Sequence, residues 1–155
     1  MKDYNKIKII ISDIDGVWTD GSVYKGTDNM EFKKFSVFDG VGVAYARAAD
    51  LKIAIISARY SPATEYRAKE LNIKDCYNGG LNKLHAYNEI KQKYSLSDDM
   101  IAYLGDDLVD LSVMELVGLP IAVANSTPEI LKVAKHVTRV NGGEGAFREA
   151  VEYII

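Results

Sequence analysis

The stretch that most restricts this chain is Ile9-Ile10-Ile11-Ser12-Asp13-Ile14-Asp15-Gly16. The nearly all-apolar run before Asp13 reads as a strand buried on both faces, the mark of a parallel sheet covered by helices. The run then breaks into two carboxylates one residue apart and a glycine. A core has no use for two acids at the end of a buried strand. In an open parallel α/β sheet, ligands bind outside the carboxyl ends of the strands. Asp13 and Asp15 are therefore candidates for nucleophilic attack, metal binding or proton handling. Taken alone, the D-x-D also fits a surface turn or a helix cap.

The remaining pattern supplies layers for such a sheet. Residues 17–38 place apolar side chains on both sides of a Gly/Asp/Asn turn, which predicts a β-hairpin leaving the sheet beside the acids as a flap. Trp18 and Tyr24 in it suit either the core or a surface covered by another subunit. Asp39-Gly40 opens a predicted helix over 41–51, followed by a strand over 52–57. Ser61-Pro62 caps a helix reaching about residue 72. A short strand is predicted near 75–77 and a helix over 82–94. Further strands are predicted over 100–104, 121–123 and 136–140, and helices over 108–117, 128–134 and 144–154. Alternation with short connections predicts an α/β fold: one Rossmann-like domain over residues 1–155, its mostly parallel sheet carrying helices on both faces.

Composition narrows the function classes. A chain of 155 residues holds one domain with a real core. Its 48% apolar and 26% charged residues are an ordinary soluble balance. A net charge of −3 gives no nucleic-acid footprint. No apolar run approaches the ~20 residues of a membrane span, and the N-terminus lacks a signal-peptide pattern. The single cysteine, Cys76, cannot form an internal disulfide and reads as a small buried residue in a reducing compartment. The expectation is a cytoplasmic protein with neither nucleic acid nor membrane as partner.

Several predicted strand ends carry chemistry. The first ends in Asp13 and Asp15, the second in Ser57-Ala58-Arg59, and the fourth in Asp106-Asp107 with Asp110 one turn on; Lys83 opens the helix after the third. Acids, a hydroxyl and cations at one sheet edge suit a phosphate beside a hard divalent cation such as Mg²⁺. Asp107 and Asp110 suit helix capping equally well. Asp20 reads as a turn residue, Arg67 as a mid-helix surface charge, and Gly142-Gly143 as a turn. Arg148 reads as a helix-surface charge or subunit contact. His85 and His136 suit packing or surface positions, since magnesium prefers oxygen.

In this order, D-I-D-G, S-x-R, a lysine and G-D-D-x-x-D resemble the haloacid dehalogenase (HAD) superfamily of phosphohydrolases. More narrowly, D-I-D-G-V-W-T-D-G, F-S-V-F-D-G-V-G, S-A-R-Y-S with Arg67 following, G-L-N-K, Y-L-G-D-D-L-V-D and G-G-E-G-A-F-R-E are similar to the 3-deoxy-D-manno-octulosonate 8-phosphate (KDO 8-phosphate) phosphatase family. The resemblance implies that Asp13 is a nucleophile forming an aspartyl-phosphate and that Asp15 is the acid and base. It implies Mg²⁺ on the Asp13 carboxylate, the Asp15 backbone carbonyl and the Asp106 carboxylate. Ser57 and Lys83 would grip the phosphate. Ala58, Arg59, Arg67 and the segment Ser36, Val37, Phe38, Asp39 and Gly40 match positions that contact a sugar acid phosphate.

Three features depart from the family pattern. Serine replaces the usual threonine at position 57 and keeps the hydroxyl. Ala44 stands where family members can carry an arginine. The chain stops at Ile155, whereas many relatives have a tail that enters a neighbour's site. Phosphatases for nine-carbon ulosonic acid 9-phosphates, and phosphatase-like domains of sialic-acid activating enzymes, therefore stay as alternatives; Arg59 favours the eight-carbon substrate. Two readings of another class are a phospho-receiver domain, which uses a similar residue set in a different order, and a non-catalytic assembly domain. The intervals from Asp13 to Ser57 and from Ser57 to Lys83 leave no room for a cap domain. The flap exposes Val23, Tyr24, Phe32 and Phe35, so residues 17–38 are expected to serve as an oligomerisation element in a homotetramer, as the resemblance implies.

Overall fold

The computed structural model describes residues 4–155. The first run is β1 (Ile9–Ser12), and its pleat explains why it is apolar throughout. Ile9 and Ile11 enter one core with Tyr87, Ile90 and Tyr103, whereas Ile10 enters the other with Trp18, Val43 and Phe147. Each isoleucine so buried contributes about 1.5–3 kcal/mol. The flap follows, with β2 (Tyr24–Lys25) and β3 (Glu31–Phe32), then α1 (Val37–Ala48) and β4 (Lys52–Ser57). Next come α2 (Pro62–Glu70), β5 (Asp75–Asn78), α3 (Lys83–Tyr94), β6 (Ile101–Gly105) and α4 (Leu108–Met114). The chain closes with β7 (Leu119–Ala122), α5 (Pro128–Val133), β8 (His136–Val137) and α6 (Ala146–Ile154).

Six strands form one sheet in the order β5-β4-β1-β6-β7-β8, and every pairing in it is parallel. Helices α1 and α6 cover one face, and α3, α4 and α5 the other. This is the doubly wound α/β arrangement predicted from the alternation. The strand order is the six-stranded one in which the chain winds to one side of β1 and then to the other; the five-stranded order of receiver domains differs. The reversal falls between β1 and β6, which pair directly from Ile9–Ile101 to Ser12–Leu104. The Asp13 amide donates to the Leu104 carbonyl at 3.0 Å, so the acids after β1 and β6 emerge side by side.

Trp18 settles in the core. It is fully buried, lies 4.3 Å from the Phe147 ring, and donates its indole N–H to Ser12 Oγ at 3.0 Å. Tyr24 stays on the surface, 50% exposed. The flap is leaner than predicted, only two residues in each strand, and α1 begins before the predicted residue 41. The Ser36 hydroxyl causes the shift by accepting the Phe38 amide at 3.2 Å as an N-cap, which draws Val37 to Gly40 into the helix. Helix α4 ends at Met114 where the backbone tightens, Leu116 and Val117 both donating to the Val113 carbonyl. Strand β8 stops at Val137, and a 3₁₀ turn at Asp98–Met100 precedes β6. Among the described residues no cap domain interrupts the elements, and no helix is long and apolar enough to cross a membrane.

Candidate active site

The sheet delivers five acids, Asp13, Asp15, Asp106, Asp107 and Asp110, to one edge. Asp13 follows β1 and is nearly buried. Its Oδ1 accepts the Ile14 amide at 2.7 Å, and its Oδ2 lies 2.8 Å from Lys83 Nζ. The Lys83 ammonium, fully buried at the start of α3, also lies 2.7 Å from Asp110 Oδ1. Asp110 takes the Tyr103 hydroxyl at 2.7 Å on the same oxygen, and the Asp106 and Asp107 amides on Oδ2 at 3.0 and 3.3 Å. With Asp107 it forms a capping box on α4. Asp110 is thus both cap and anchor for Lys83.

Carboxylate oxygens of Asp13, Asp106 and Asp110 lie within 4.8 Å of one another. All four Asp110 contacts are taken within the protein, whereas Asp106 Oδ1 is buried without a hydrogen-bond partner. Burial, reinforced by neighbouring aspartates, pushes the Asp13 carboxyl up to about 7 and Asp106 to about 8. A buried cluster of hard oxygens, with negative charge in excess and one orphaned oxygen, fits a divalent cation such as Mg²⁺. Asp13 and Asp106 are the residues whose oxygens remain open to it.

Gly16 makes the cluster possible. Its φ of +88° is in the left-handed region, and a Cβ there would lie 2.6 Å from Asp106 Cγ and nearer still to Oδ2. Gly142 supports the same loop from beneath: a Cβ on it would collide with the Gly16 carbonyl, whose carbon is only 2.5 Å away. The G-G-E-G turn therefore packs directly under D-I-D-G.

A cleft of about 230 Å³ opens above the acids, lined by Asp13, Asp15, Gly21, Val23, Ala58, Arg59, Asp106, Asp107 and Val109. Ser57, which ends β4, is buried, its hydroxyl donating to the Arg59 carbonyl at 3.1 Å. The flap closes one side. Glu31 receives the Arg59 guanidinium through both carboxylate oxygens, together with the Ser61 hydroxyl at 2.7 Å and Lys25 at 3.0 Å. Those donors, Arg59 first, hold the Glu31 carboxyl well below its usual range. Lys33 reaches past Glu31 to Asp15 Oδ1 at 2.6 Å and Thr64 Oγ1 at 3.1 Å. Sequence reasoning missed Glu31, Lys33 and Thr64, which stand at no strand end of the main sheet.

The other predicted contact residues are not brought to this cleft within one subunit. Ser36 caps α1, Val37 and Phe38 are exposed on its first turn, and Gly40 packs by Arg67 and Leu71. Asp39, expected among the substrate contacts, has a structural role within one subunit. It is fully buried and accepts the Arg148 amide at 3.1 Å, capping α6, whose own N-cap Gly145 has no side chain to do so. Burial pushes its carboxyl up to about 6, against the pull of the Arg148 and Phe147 amides. Arg67 pairs with Glu70 at 2.6 Å and donates to the Ser36 carbonyl at 3.2 Å. Ala44 is exposed on α1.

The haloacid dehalogenase-like hydrolase family matches residues 29–149. An Escherichia coli 3-deoxy-D-manno-octulosonate 8-phosphate phosphatase is 40% identical over 155 residues, all of this chain and 82% of the relative. The chain belongs to this family of HAD-type phosphatases. The phosphatase fold coincides with solved structures of the family. The Yersinia pestis enzyme superposes with a TM-score of 0.94 at 41% identity, over 97% of this chain and 82% of that one. The Moraxella catarrhalis enzyme, solved with magnesium ion, phosphate ion and KDO, gives 0.93 at 35% identity, over 97% and 88%. Membership makes the protein an enzyme, a phosphoric monoester hydrolase, and removes the receiver reading; a degenerate assembly domain would have lost a nucleophile or metal ligand, and Asp13, Asp15, Asp106 and Lys83 are all present.

Proposed function

We propose that this phosphatase hydrolyses KDO 8-phosphate to KDO and inorganic phosphate. The observation that carries the reading is Asp13, held by the Ile14 amide and Lys83 beside the open oxygen of Asp106, at the floor of a cleft with Asp15 and Arg59 on its wall. The relative from Moraxella catarrhalis that holds KDO supports the substrate class.

In the first half-reaction an Asp13 carboxylate oxygen attacks phosphorus. The bond from phosphorus to the sugar oxygen breaks, and Asp15 gives its proton to that oxygen. In the second half Asp15 takes a proton from water, the water oxygen attacks phosphorus, and the acyl-phosphate bond breaks to restore Asp13. Lys83 holds the charge on the transferring group, and the Ser57 hydroxyl, at the end of β4, is the neutral donor for the phosphate. Arg59, paired with Glu31 in this structure, would exchange that carboxylate for the sugar acid's. Asp13, Asp106 and the Asp15 backbone carbonyl would hold Mg²⁺, which when bound supplies positive charge to the phosphoryl oxygens.

The flap leaves Val23, Tyr24, Met30 and Phe32 exposed, Phe32 at 59%. We assign this face to contacts between copies in a homotetramer, each flap roofed by a neighbour, and place the enzyme in the cytoplasm. Sedimentation equilibrium at assay concentration tests the assembly, and a fully active monomer would refute it. The substrate test is a panel of KDO 8-phosphate, nine-carbon ulosonic acid 9-phosphates and neutral hexose phosphates. The expected result is the highest kcat/KM on KDO 8-phosphate. A higher value on glucose 6-phosphate than on every sugar acid would overturn the reading.

A further inference from the structure

The second arm of the flap carries two inward groups of opposite charge, Glu31 in β3 and Lys33 just after it, with the exposed Phe32 between them. Glu31 ties the strand to Arg59 and Ser61. Lys33 does something Glu31 does not: it touches the acid–base residue itself. Its side chain has no exposed surface, while Asp15 keeps a quarter of its side chain open to the cleft. Burying an ammonium costs several kcal/mol, and a packed apolar side chain in its place is commonly neutral or stabilising. The adjacent Lys34, by contrast, remains at the surface. Stability alone does not explain a buried lysine at position 33.

Geometry supplies the explanation. Lys33 Nζ is fixed from two sides, by Asp15 Oδ1 at 2.6 Å and by Thr64 Oγ1, on the first turn of α2, at 3.1 Å. A cation tethered to the rigid layer in this way pins one oxygen of Asp15 and so sets the plane of its carboxyl. General acid and base work depends on holding such a group within about 0.5 Å of its productive place. We propose that Lys33 is the positioning residue for Asp15, so that seating of the flap sets the geometry of proton transfer. The inference rests on the reading of Asp15 as proton donor to the leaving group.

The test compares two esters on the purified full chain with Mg²⁺ present. The sugar oxygen of KDO 8-phosphate needs a proton to leave; the nitrophenolate of p-nitrophenyl phosphate does not. For Lys33→Met, kcat on KDO 8-phosphate is expected to fall roughly 10–100-fold, part of the 10²–10⁴ a general acid supplies, with KM changed less than about threefold. The pre-steady-state burst of nitrophenolate should slow by less than about threefold, because that step needs little acid assistance. Lys33→Arg should recover part of the lost kcat. Thr64→Val, which removes only the second tether, should show the same pattern at smaller size and serves if Lys33→Met does not fold. Equal losses on both esters, or a loss confined to KM, would show a merely structural lysine and overturn the proposal. Full wild-type activity with unaffected variants overturns it while leaving the phosphatase reading intact. A wild type inactive on both esters overturns both.

Discussion

Replacing Gly16 by alanine adds a single methyl group at the point where β1 meets the metal-binding acids. At φ +88° the new side chain is in a strained backbone region, costing about 1–2 kcal/mol, or roughly 2–8 °C in Tm for a domain of this size. The larger effect is local. The Cβ would lie 2.6 Å from Asp106 Cγ and closer to Oδ2, where real Cβ atoms essentially never come nearer than 3.0 Å. Clearing both atoms moves the Asp106 carboxylate by about 1 Å, and a misplacement of that size in an active site costs on the order of 10² in rate. The assay is phosphate release against Mg²⁺ concentration. The expected result is a Gly16→Ala protein that folds, melts a few degrees lower, needs more Mg²⁺ for half-activation, and at saturating Mg²⁺ turns over about a hundredfold more slowly. Wild-type kcat with wild-type Mg²⁺ dependence would refute the account of why a glycine follows the second acid.

Asp13→Asn should abolish turnover while leaving the circular dichroism and Tm of the metal-free protein near the wild type, because the amide keeps the shape but cannot attack. EDTA should remove activity and added Mg²⁺ restore it. Asp39 has a folded-state pKa raised to about 6 chiefly by burial, so it binds more protons folded than unfolded, and its contribution to stability declines as pH rises. The stability of the wild type relative to Asp39→Asn should therefore fall by about 2 kcal/mol between pH 4.5 and 7.5 in urea titrations, and a difference that rises with pH would contradict the assignment. Trp18→Ala empties a fully buried site against Phe147 and should cost about 3–5 kcal/mol, read from the same titrations.

The parts of the site that could be read in the sequence share one property: each stands at the carboxyl end of a buried strand or the first turn of the next helix. Asp13 and Asp106 end apolar runs where a core gives no reason for charge, and Lys83 opens the helix after the third strand. The parts that could not be read depend on contacts between distant segments. Lys33 meets Asp15 only because the flap folds back over β1, and a polar residue in a hairpin carries no local sign of burial. Asp39 reads in the sequence as a helix-opening residue within a segment that resembles substrate contacts; its capping role depends on Arg148 of α6, 109 residues further on, and on a Gly145 with no side chain to cap with. The early start of α1 is set by Ser36, whose hydroxyl caps the helix four residues ahead of the predicted start at 41. The parallel pattern predicted that the strand-end acids share one edge of the sheet; the strand order and register that set Asp13 beside Asp106 came from the structure.

The central claim is that phosphate passes through a covalent bond to Asp13. The direct measurement is to mix the enzyme with KDO 8-phosphate and Mg²⁺, quench in acid within one turnover, and reduce with borohydride, which converts an acyl-phosphorylated aspartate to homoserine. Peptide mass spectrometry should then find homoserine at position 13 and at no other aspartate, and none without Mg²⁺. Phosphate release through a full turnover with Asp13 unmodified at every quench time, or with the label on Asp15 or Asp106, would contradict it.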